Sequence, residues 1–389
     1  MRLWASTEWG ASLGAMAEGE RRRRMERSPR YHKGRFRNVE PAAKAHIVRV
    51  IRTFLTAHGK GTIKRPPAPL PLSTPSLETA PSSGLRVTWF GHSTLLFEVD
   101  GARLLTDPIW SDRASPSTLI GPLRFHPPAM RLEELGKLDA VLISHDHYDH
   151  LDMETVRRLG ALGLPFVVPL GVGAHLERWG IAKDKITELD WWEEVTFPSG
   201  VRVVATPSRH FSGRRLKDRD ATLWTSWSVI GPSHRLFFSG DTGLTRELEE
   251  IGERLGPFDL AMFEIGAFNE AWADIHLGPE GAVRAFQLLG AKALLPIHWA
   301  TFDLGLHAWN EPVEVIHDLA EQAKIPLYTP PIGYSFEPDL EAPHDAWWRE
   351  LGREPRPALE APRVARRPRA ISSWGARLRL RRPAPARGA

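Results

Sequence analysis

The sequence predicts an α/β protein in which layered sheets are flanked by helices. Three observations carry this. Residues 85–125 hold short β-type runs, "LRVTWF", "STLLFEV" and "ARLLTDP", split by tight Gly/Asp turns. From "LDAVLISH" onward, strand-like and helix-like segments alternate. The chain has 389 residues and is 42% apolar, enough to bury a sizeable core.

In chain order, "LDAVLISH" reads as a buried strand, "METVRRLGAL" as a helix and "PFVVP" as a strand. "GAHLERWG" reads as a helix, and "KITEL", "EEVTF" and "VRVVATP" as strands. "HRLFFSGDTG" is a strand with a sharp exit, followed by the helix "TRELEEIGERLG" and the strand "FDLAMFEIG". "GPEGAVRAFQLLG" is a helix with a glycine stop. The strand "AKALLPIHWA", the helix "VEVIHDLAEQAK" and a strand at "IPLYTP" complete the run.

The flanks differ in kind. Residues 1–38 form a basic segment whose four arginines, 21–24, read as a solvated charge run. In 39–84, Ile47, Val50, Ile51, Phe54 and Leu55 fall at helical spacing, and a Pro/Ser-rich linker follows. Residues 85–340 form the expected catalytic domain. Residues 341–389 end in a Pro/Ala/Arg tail that reads as disordered. Charge is segregated. Residues 1–65 hold 16 Lys+Arg against 5 Asp+Glu, and residues 341–389 hold 12 against 5. With +4 overall, the stretch between them carries −14. Basic charge mostly outside the expected domain argues against a nucleic-acid partner. The N-terminus lacks a signal-peptide pattern, and no stretch reaches the roughly 20 apolar residues of a spanning helix, so the expectation is a cytoplasmic protein. With no cysteine, any metal must be held by nitrogen and oxygen.

"SHDHYDHLD", residues 144–152, places three histidines and three aspartates within nine positions after the strand "AVLI". His145 and His147, two apart, would point the same way on a continuing strand. Asp149 and His150 lie where the chain turns toward the next helix. Imidazole and carboxylate suit a borderline cation such as Zn²⁺. The plainer alternative is a polar loop with Asp149 or Asp152 as a helix N-cap. His210, Asp241 and His298 each follow an apolar strand and supply further donors.

His145-x-His147-x-Asp149-His150, followed in order by His210, Asp241 and His298, resembles the metallo-β-lactamase superfamily. The resemblance implies a four-layer αββα sandwich with two zinc ions per chain, other divalent metals being acceptable. It assigns His145, His147 and His210 to one ion, Asp149, His150 and His298 to the second, and Asp241 to both. "TWFGHSTLLFEVDGARLLTDPIWSDRASPSTLIGPLRF", "FFSGDTG", "IHLGPEGAVRAF" and "IHWATFDLGLHAWNEP" resemble the branch of N-acylphosphatidylethanolamine-hydrolysing phospholipase D and its bacterial relatives. In that branch a histidine at the place of His276 lies at the substrate pocket. Asp149, Asp241 and His276 are therefore the expected catalytic residues. Asp107 and His92 are candidates to support the ligands. The chain departs from the branch at Asp146, where the phospholipase has asparagine; a charge there would disfavour an anionic substrate.

Two such cations lower the pKa of a bound water to about 7 and stabilise charge on a phosphoryl or carbonyl oxygen. The expected activity is a phospholipase-D-like phosphodiesterase acting on a lipid or small diester, with a lactonase or other ester hydrolase as the alternative. A nucleic-acid enzyme or binder ranks third. Trp110, Leu119, Phe125, Trp191, Trp192, Trp224, Trp272, Phe302 and Trp309 flank the ligands and would form an apolar rim for an acyl or aryl group. Such a rim leaves room for peripheral membrane contact, and nothing in the sequence excludes an oligomer.

Overall fold

The computed structural model describes residues 9–40, 63–215, 217–342 and 346–351. The helix expected around Ile47–Leu55 and the Pro/Ala/Arg tail lie outside them. Helix α1 (Gly19–Arg27) leads into the hairpin β1 (Tyr31–His32) and β2 (Arg35–Phe36). β3 (Leu85–Trp89), β4 (Leu95–Val99) and β5 (Ala102–Thr106) pair antiparallel. β6 (Ala140–Leu142), α2 (Met153–Ala161), β7 (Phe166–Pro169), α3 (Gly173–Arg178) and β8 (Ile186–Leu189) follow, with β5 to β8 parallel. β9 (Glu194–Thr196), β10 (Arg202–Thr206), β11 (Ser226–Ile230) and β12 (Arg235–Phe238) form an antiparallel meander. α4 (Glu247–Leu255), β13 (Leu260–Glu264), α5 (Gly278–Leu289), β14 (Leu294–Ile297) and α6 (Glu311–Ala323) continue it, with β12 to β14 parallel. β15 (Ser335–Phe336) returns to pair with β3.

The strand orders are β15-β3-β4-β5-β6-β7-β8 and β14-β13-β12-β11-β10-β9. Strand alternation sorts the first sheet's side chains onto two faces. Leu95, Phe97, Leu104 and Leu142 join a core with Val203, Trp227, Val229 and Phe237 of the second sheet. Leu96, Leu105 and Val141 face the other way, against Val156 and Leu159 of α2 and Leu176 of α3. Ile251, Phe286 and Ile316 of α4, α5 and α6 close the second sheet's side. This is the αββα layering that the family resemblance implied. Among the described residues no helix is long and apolar enough to cross a membrane.

Three local expectations are corrected. β11 was not legible: Ser226 and Ser228 interrupt the apolar pattern, yet all five of its residues are buried. "IPLYTP" is no strand; Leu327 makes one isolated bridge to Leu294, and the prolines around it remove ladder donors. The arginines at 21–24 lie on α1, and not all of them are merely solvated. Arg21 pairs with Glu188 at 2.6 Å and Glu177 at 2.8 Å, and Arg24 reaches Glu193 at 2.7 Å. α1 and its hairpin pack Met25, Tyr31 and Phe36 against Trp191, Leu223 and Trp224.

Candidate metal centre

The seven expected donors converge at one edge of the two sheets. The 145–150 loop follows β6, His210 follows β10, Asp241 follows β12 and His298 follows β14. For β6, β12 and β14 this is the carboxyl end of a parallel strand, where open α/β sheets place their ligands. β6 stops at Leu142, so His145 and His147 do not share a strand face as expected. The turn through the loop brings them together instead, His145 Nε2 to His147 Nδ1 at 2.9 Å. Of the two plainer cap readings, Asp152 is the N-cap of α2 and Asp149 is not.

Two four-membered donor sets result, and Asp241, His276 and His298 form a smaller third group. His145, His147, His210 and Asp241 form the first; in each set the donor atoms lie within 4.8 Å of one another. Asp149, His150 and His298 form the second, joined by His92. Asp241 Oδ1 lies 3.2 Å from His150 Nε2 and 3.3 Å from His298 Nε2, while Oδ2 lies 3.9 Å from His145 and 3.8 Å from His210. One carboxylate thus touches both sets.

The other ring nitrogens fix which atom each histidine offers. His210 Nδ1 donates to the Ile275 carbonyl at 2.8 Å, and His145 Nδ1 meets Ser144 Oγ at 2.9 Å. His150 Nδ1 donates to Asp107 Oδ2 at 2.8 Å, and Asp107 also accepts from the Ser144 amide and hydroxyl. Each of these rings therefore turns Nε2 into the centre. Asp107 supports an imidazole as expected, whereas His92 bonds a carboxylate, Asp149 Oδ2, at 3.1 Å. His92, Asp107 and His298 take left-handed φ of 51°, 34° and 67°. Such strain costs on the order of 1–3 kcal/mol per residue and clusters at functional sites. Gly240 lets the chain close on Ser144 just before Asp241: a Cβ there would stand 2.6 Å from the Ser144 Cβ.

Electrostatics separate the sets. Burial, then the neighbouring imidazoles, hold His145 well below the ordinary histidine value, and His210 lies well below it too, burial outweighing Asp241. Burial also opposes charge on His298, yet Asp241 and Asp149 push it up to about 10. His150 rises well above its usual value against burial, through Asp241, Asp149 and Asp107. Both carboxylates sit well below the usual range despite burial, held there chiefly by His150.

Asp146 does not behave as expected. It is 1% exposed and turned away from the donors. Its carboxylate accepts from the Gly213 amide at 2.7 Å and Thr222 Oγ1 at 2.9 Å, and meets His175 Nε2 at 3.2 Å. Despite burial, these partners hold it below the usual carboxylate range. Its charge is met by these partners, and it also acts on His147, where it opposes the lowering by burial. The apolar rim is only partly realised as well. Trp191 and Trp224 belong to the α1 cluster. Phe125, Phe302 and Trp309 line a narrow cleft at His298. Trp110 and Leu119 line a cavity of about 600 Å³ with Tyr148 and Leu151 of the metal loop. That cavity touches none of the seven donors, so it adjoins the centre rather than containing it.

Sequence reasoning missed Asn38 and Glu264. Asn38 Oδ1 accepts from the His210 amide at 3.1 Å and its Nδ2 donates to the His210 carbonyl at 2.9 Å, clamping that ligand's backbone. Glu264, fully buried at the end of β13, lies 3.3 Å from His276 Nδ1.

Residues 102–299 match the family model of the Beta-lactamase superfamily domain. An uncharacterized protein of Mycobacterium tuberculosis is 48% identical across 87% of this chain and 92% of its own. The N-acyl-phosphatidylethanolamine-hydrolyzing phospholipase D 1 of Caenorhabditis elegans is 40% identical across 61% of this chain and 70% of its own. Among solved structures, the metallo hydrolase Igni18 of Ignicoccus hospitalis superposes with a TM-score of 0.50 at 24% identity, covering 65% of this chain and 98% of that one.

Proposed function

Starting from a chain that belongs to the metallo-β-lactamase superfamily of metal-dependent hydrolases, we propose that it is a zinc-dependent phosphodiesterase of phospholipase-D-like type, acting on a lipid or small diester. The observation that carries this is two imidazole/carboxylate sets joined at Asp241. The residues fit a pair of cations. His150 Nε2 and Asp241 Oδ1 are buried and make no hydrogen bond, though they face each other as an ion pair at 3.2 Å; a cation between the sets would meet both. The donors are all N and O, which suits zinc while admitting other divalent ions. His145, His147 and His210 would hold one ion, and Asp149, His150 and His298 the other, with Asp241 touching both. When bound, two such ions supply hydroxide at neutral pH and offset charge developing on a phosphoryl group.

The chain's own residues do the rest. Asp107, Ser144 and the Ile275 carbonyl fix the ring orientations, so the donors need little reorganisation. His276, near His298 and Asp241, meets the substrate. The phospholipase name of the C. elegans relative favours phosphorus as the reacting centre. Leu119 and Ile120, 78% and 76% exposed, and the adjoining cavity support a substrate with an apolar chain, met at a membrane surface. The lactone or ester alternative rests on the same metal chemistry attacking either centre, on the acidic middle of the chain and on Asp146; of these supports, the Asp146 carboxylate is bound away from the donors.

The test is a kcat/KM panel of lipid phosphodiesters, simple diesters and lactones on the zinc-loaded chain. Acyl-bearing diesters should lead. Lactones ahead by about tenfold, ~1.4 kcal/mol of transition-state preference, would overturn the phosphodiesterase reading.

A further inference from the structure

His276 is pinned from both sides. The carbonyl of Ile275 accepts from the His210 ring at 2.8 Å, and the amide of Leu277 donates to Glu264 Oε1 at 2.7 Å. One neighbour is thus tied to a candidate metal ligand and the other to the end of β13. The His276 ring lies 5.2 Å from that of His210 and 5.6 Å from that of His298, centre to centre. Its side chain is 13% exposed, enough for a substrate to touch.

Glu264 is unusual in its own right. Its side chain is 0% exposed, and Oε2 has no partner among the described residues. No lysine or arginine among them pairs with it; the basic group facing it is His276 Nδ1, 3.3 Å from Oε1, and that nitrogen, like Oε2, is buried and makes no hydrogen bond in this structure, so the two groups face each other as each other's nearest unmet partner. A carboxylate so deeply buried is costly unless it serves a partner. The Leu277 amide alone would be satisfied by a neutral acceptor.

We propose that Glu264 is a positioning residue for His276. It accepts the proton on Nδ1, fixes the plane of the ring, and leaves Nε2 as the nitrogen that meets the substrate. The logic is that of the carboxylate that holds a catalytic imidazole in one tautomer. That His276 touches substrate rests on the phosphodiesterase reading; its tautomer does not.

The test uses the full-length, zinc-loaded chain labelled with ¹⁵N-histidine, with the His276 signals identified by their loss in His276→Gln. Wild type should carry a proton on His276 Nδ1. Glu264→Leu should shift that proton toward Nε2 or mix the two forms, and lower kcat about tenfold or more on diesters, with KM within threefold and metal content unchanged. Glu264→Gln keeps an acceptor oxygen and should restore both the signature and most of kcat. A His276 spectrum and kcat unmoved by Glu264→Leu would overturn the proposal while leaving the phosphodiesterase reading intact. If no diester is hydrolysed, the reading fails and the spectrum still decides the role of Glu264. If Glu264→Leu does not fold, an Nδ1 proton absent in wild type, or kcat unaltered in Glu264→Gln with the proton on Nε2, sinks the idea.

Discussion

The two donor sets share a carboxylate and little else. In the first, three imidazoles crowd one another: His147 Nδ1 lies 2.9 Å from His145 Nε2 and 3.3 Å from His210 Nε2, and the carboxylate stands almost 4 Å away. In the second, His150 and His298 lie between Asp149 and Asp241, with Asp107 behind His150. The electrostatics favour neutral rings in the first set; in the second they favour charged His150 and His298, while burial and then His298 keep His92 neutral. In the first, the lone pairs are engaged only with neighbouring imidazoles before any cation arrives. The second is already neutralised from within, so a cation must displace protons to enter. Sets that look alike by composition should therefore load differently.

Removing what they share is the severest way to break the comparison. Asp241→Ala should empty both sets and lower diester turnover by at least about a thousandfold, ~4 kcal/mol. His276→Ala should keep its metal and lose less. Elemental analysis with single-turnover rates checks this; near-normal zinc and turnover in Asp241→Ala would remove the shared carboxylate from the account.

Acidity sharpens it next. A histidine whose folded pKa is raised adds stability to the metal-free chain that is complete below its unfolded value of about 6.5. For His298 that stability is lost as pH rises through about 10. His145 and His210, with lowered values, do the reverse. They are neutral when folded, and they cost stability as pH falls below about 6.5, where the unfolded chain takes up protons that the folded chain refuses. Cation entry at pH 7 should release more protons at the second set than at the first, and acidification should empty the second set first. Calorimetry in buffers of different ionisation enthalpy, on His210→Ala and His298→Ala chains, measures this. Equal proton release from both would erase the distinction.

The supports should then separate the sets by affinity. Asp107→Ala leaves His150 Nδ1 without its acceptor and should weaken the second site about 10–100-fold. Asn38→Ala unclamps the backbone of His210 and should weaken the first site by about tenfold or less. Asn38→Ala should spare the second set, whereas Asp107→Ala should also loosen the first to a smaller degree, because Asp107 holds the Ser144 hydroxyl that meets His145 Nδ1; competition with a chromophoric chelator would show both.

How these groups were found differs in an instructive way. The seven candidate donors were legible because each is a chemically distinctive residue just after an apolar strand, in an ordered series; His276 came only from the resemblance to the phospholipase branch. Asp107 was legible for the same reason as the donors. Asn38 was not: it is an ordinary residue 172 positions from its partner, placed by the packing of α1 and its hairpin. Glu264 read only as the end of a strand, since nothing local marks a buried carboxylate. Most of the fold was legible because strand and helix periods are local. β11 was not, because its buried serines are satisfied by the chain on either side: Ser226 Oγ donates to the carbonyl of Ser239, just after β12, and Ser228 Oγ meets Thr206 Oγ1 of β10.

The smallest expected effect concerns the one residue whose charge first seemed to bear on substrate. Asp146 sits between the two sequence ligands His145 and His147, yet its carboxylate joins His175, Thr222 and Gly213, and its carbonyl accepts from Arg214 Nη1 at 2.7 Å. This network leads outward, since Ala15 donates its amide to His175 Nδ1 at 3.0 Å. Asp146 therefore ties the N-terminal segment to the metal loop. Asp146→Asn keeps size and one acceptor oxygen but weakens a charge-assisted network, and should cost about 1–2 kcal/mol of stability. Because the folded pKa is depressed, the stabilisation exists above the unfolded value and is lost as pH falls through the folded one. The stability difference between wild type and Asp146→Asn should therefore narrow in acid. Selectivity should hardly move: the kcat/KM ratio of an anionic diester to a neutral ester should change less than about twofold, because the carboxylate is bound by Gly213, Thr222 and His175 rather than by substrate, and its field acts first on His147. A shift of about tenfold toward the anionic substrate, with the melting temperature unchanged, would return Asp146 to the substrate side of the loop.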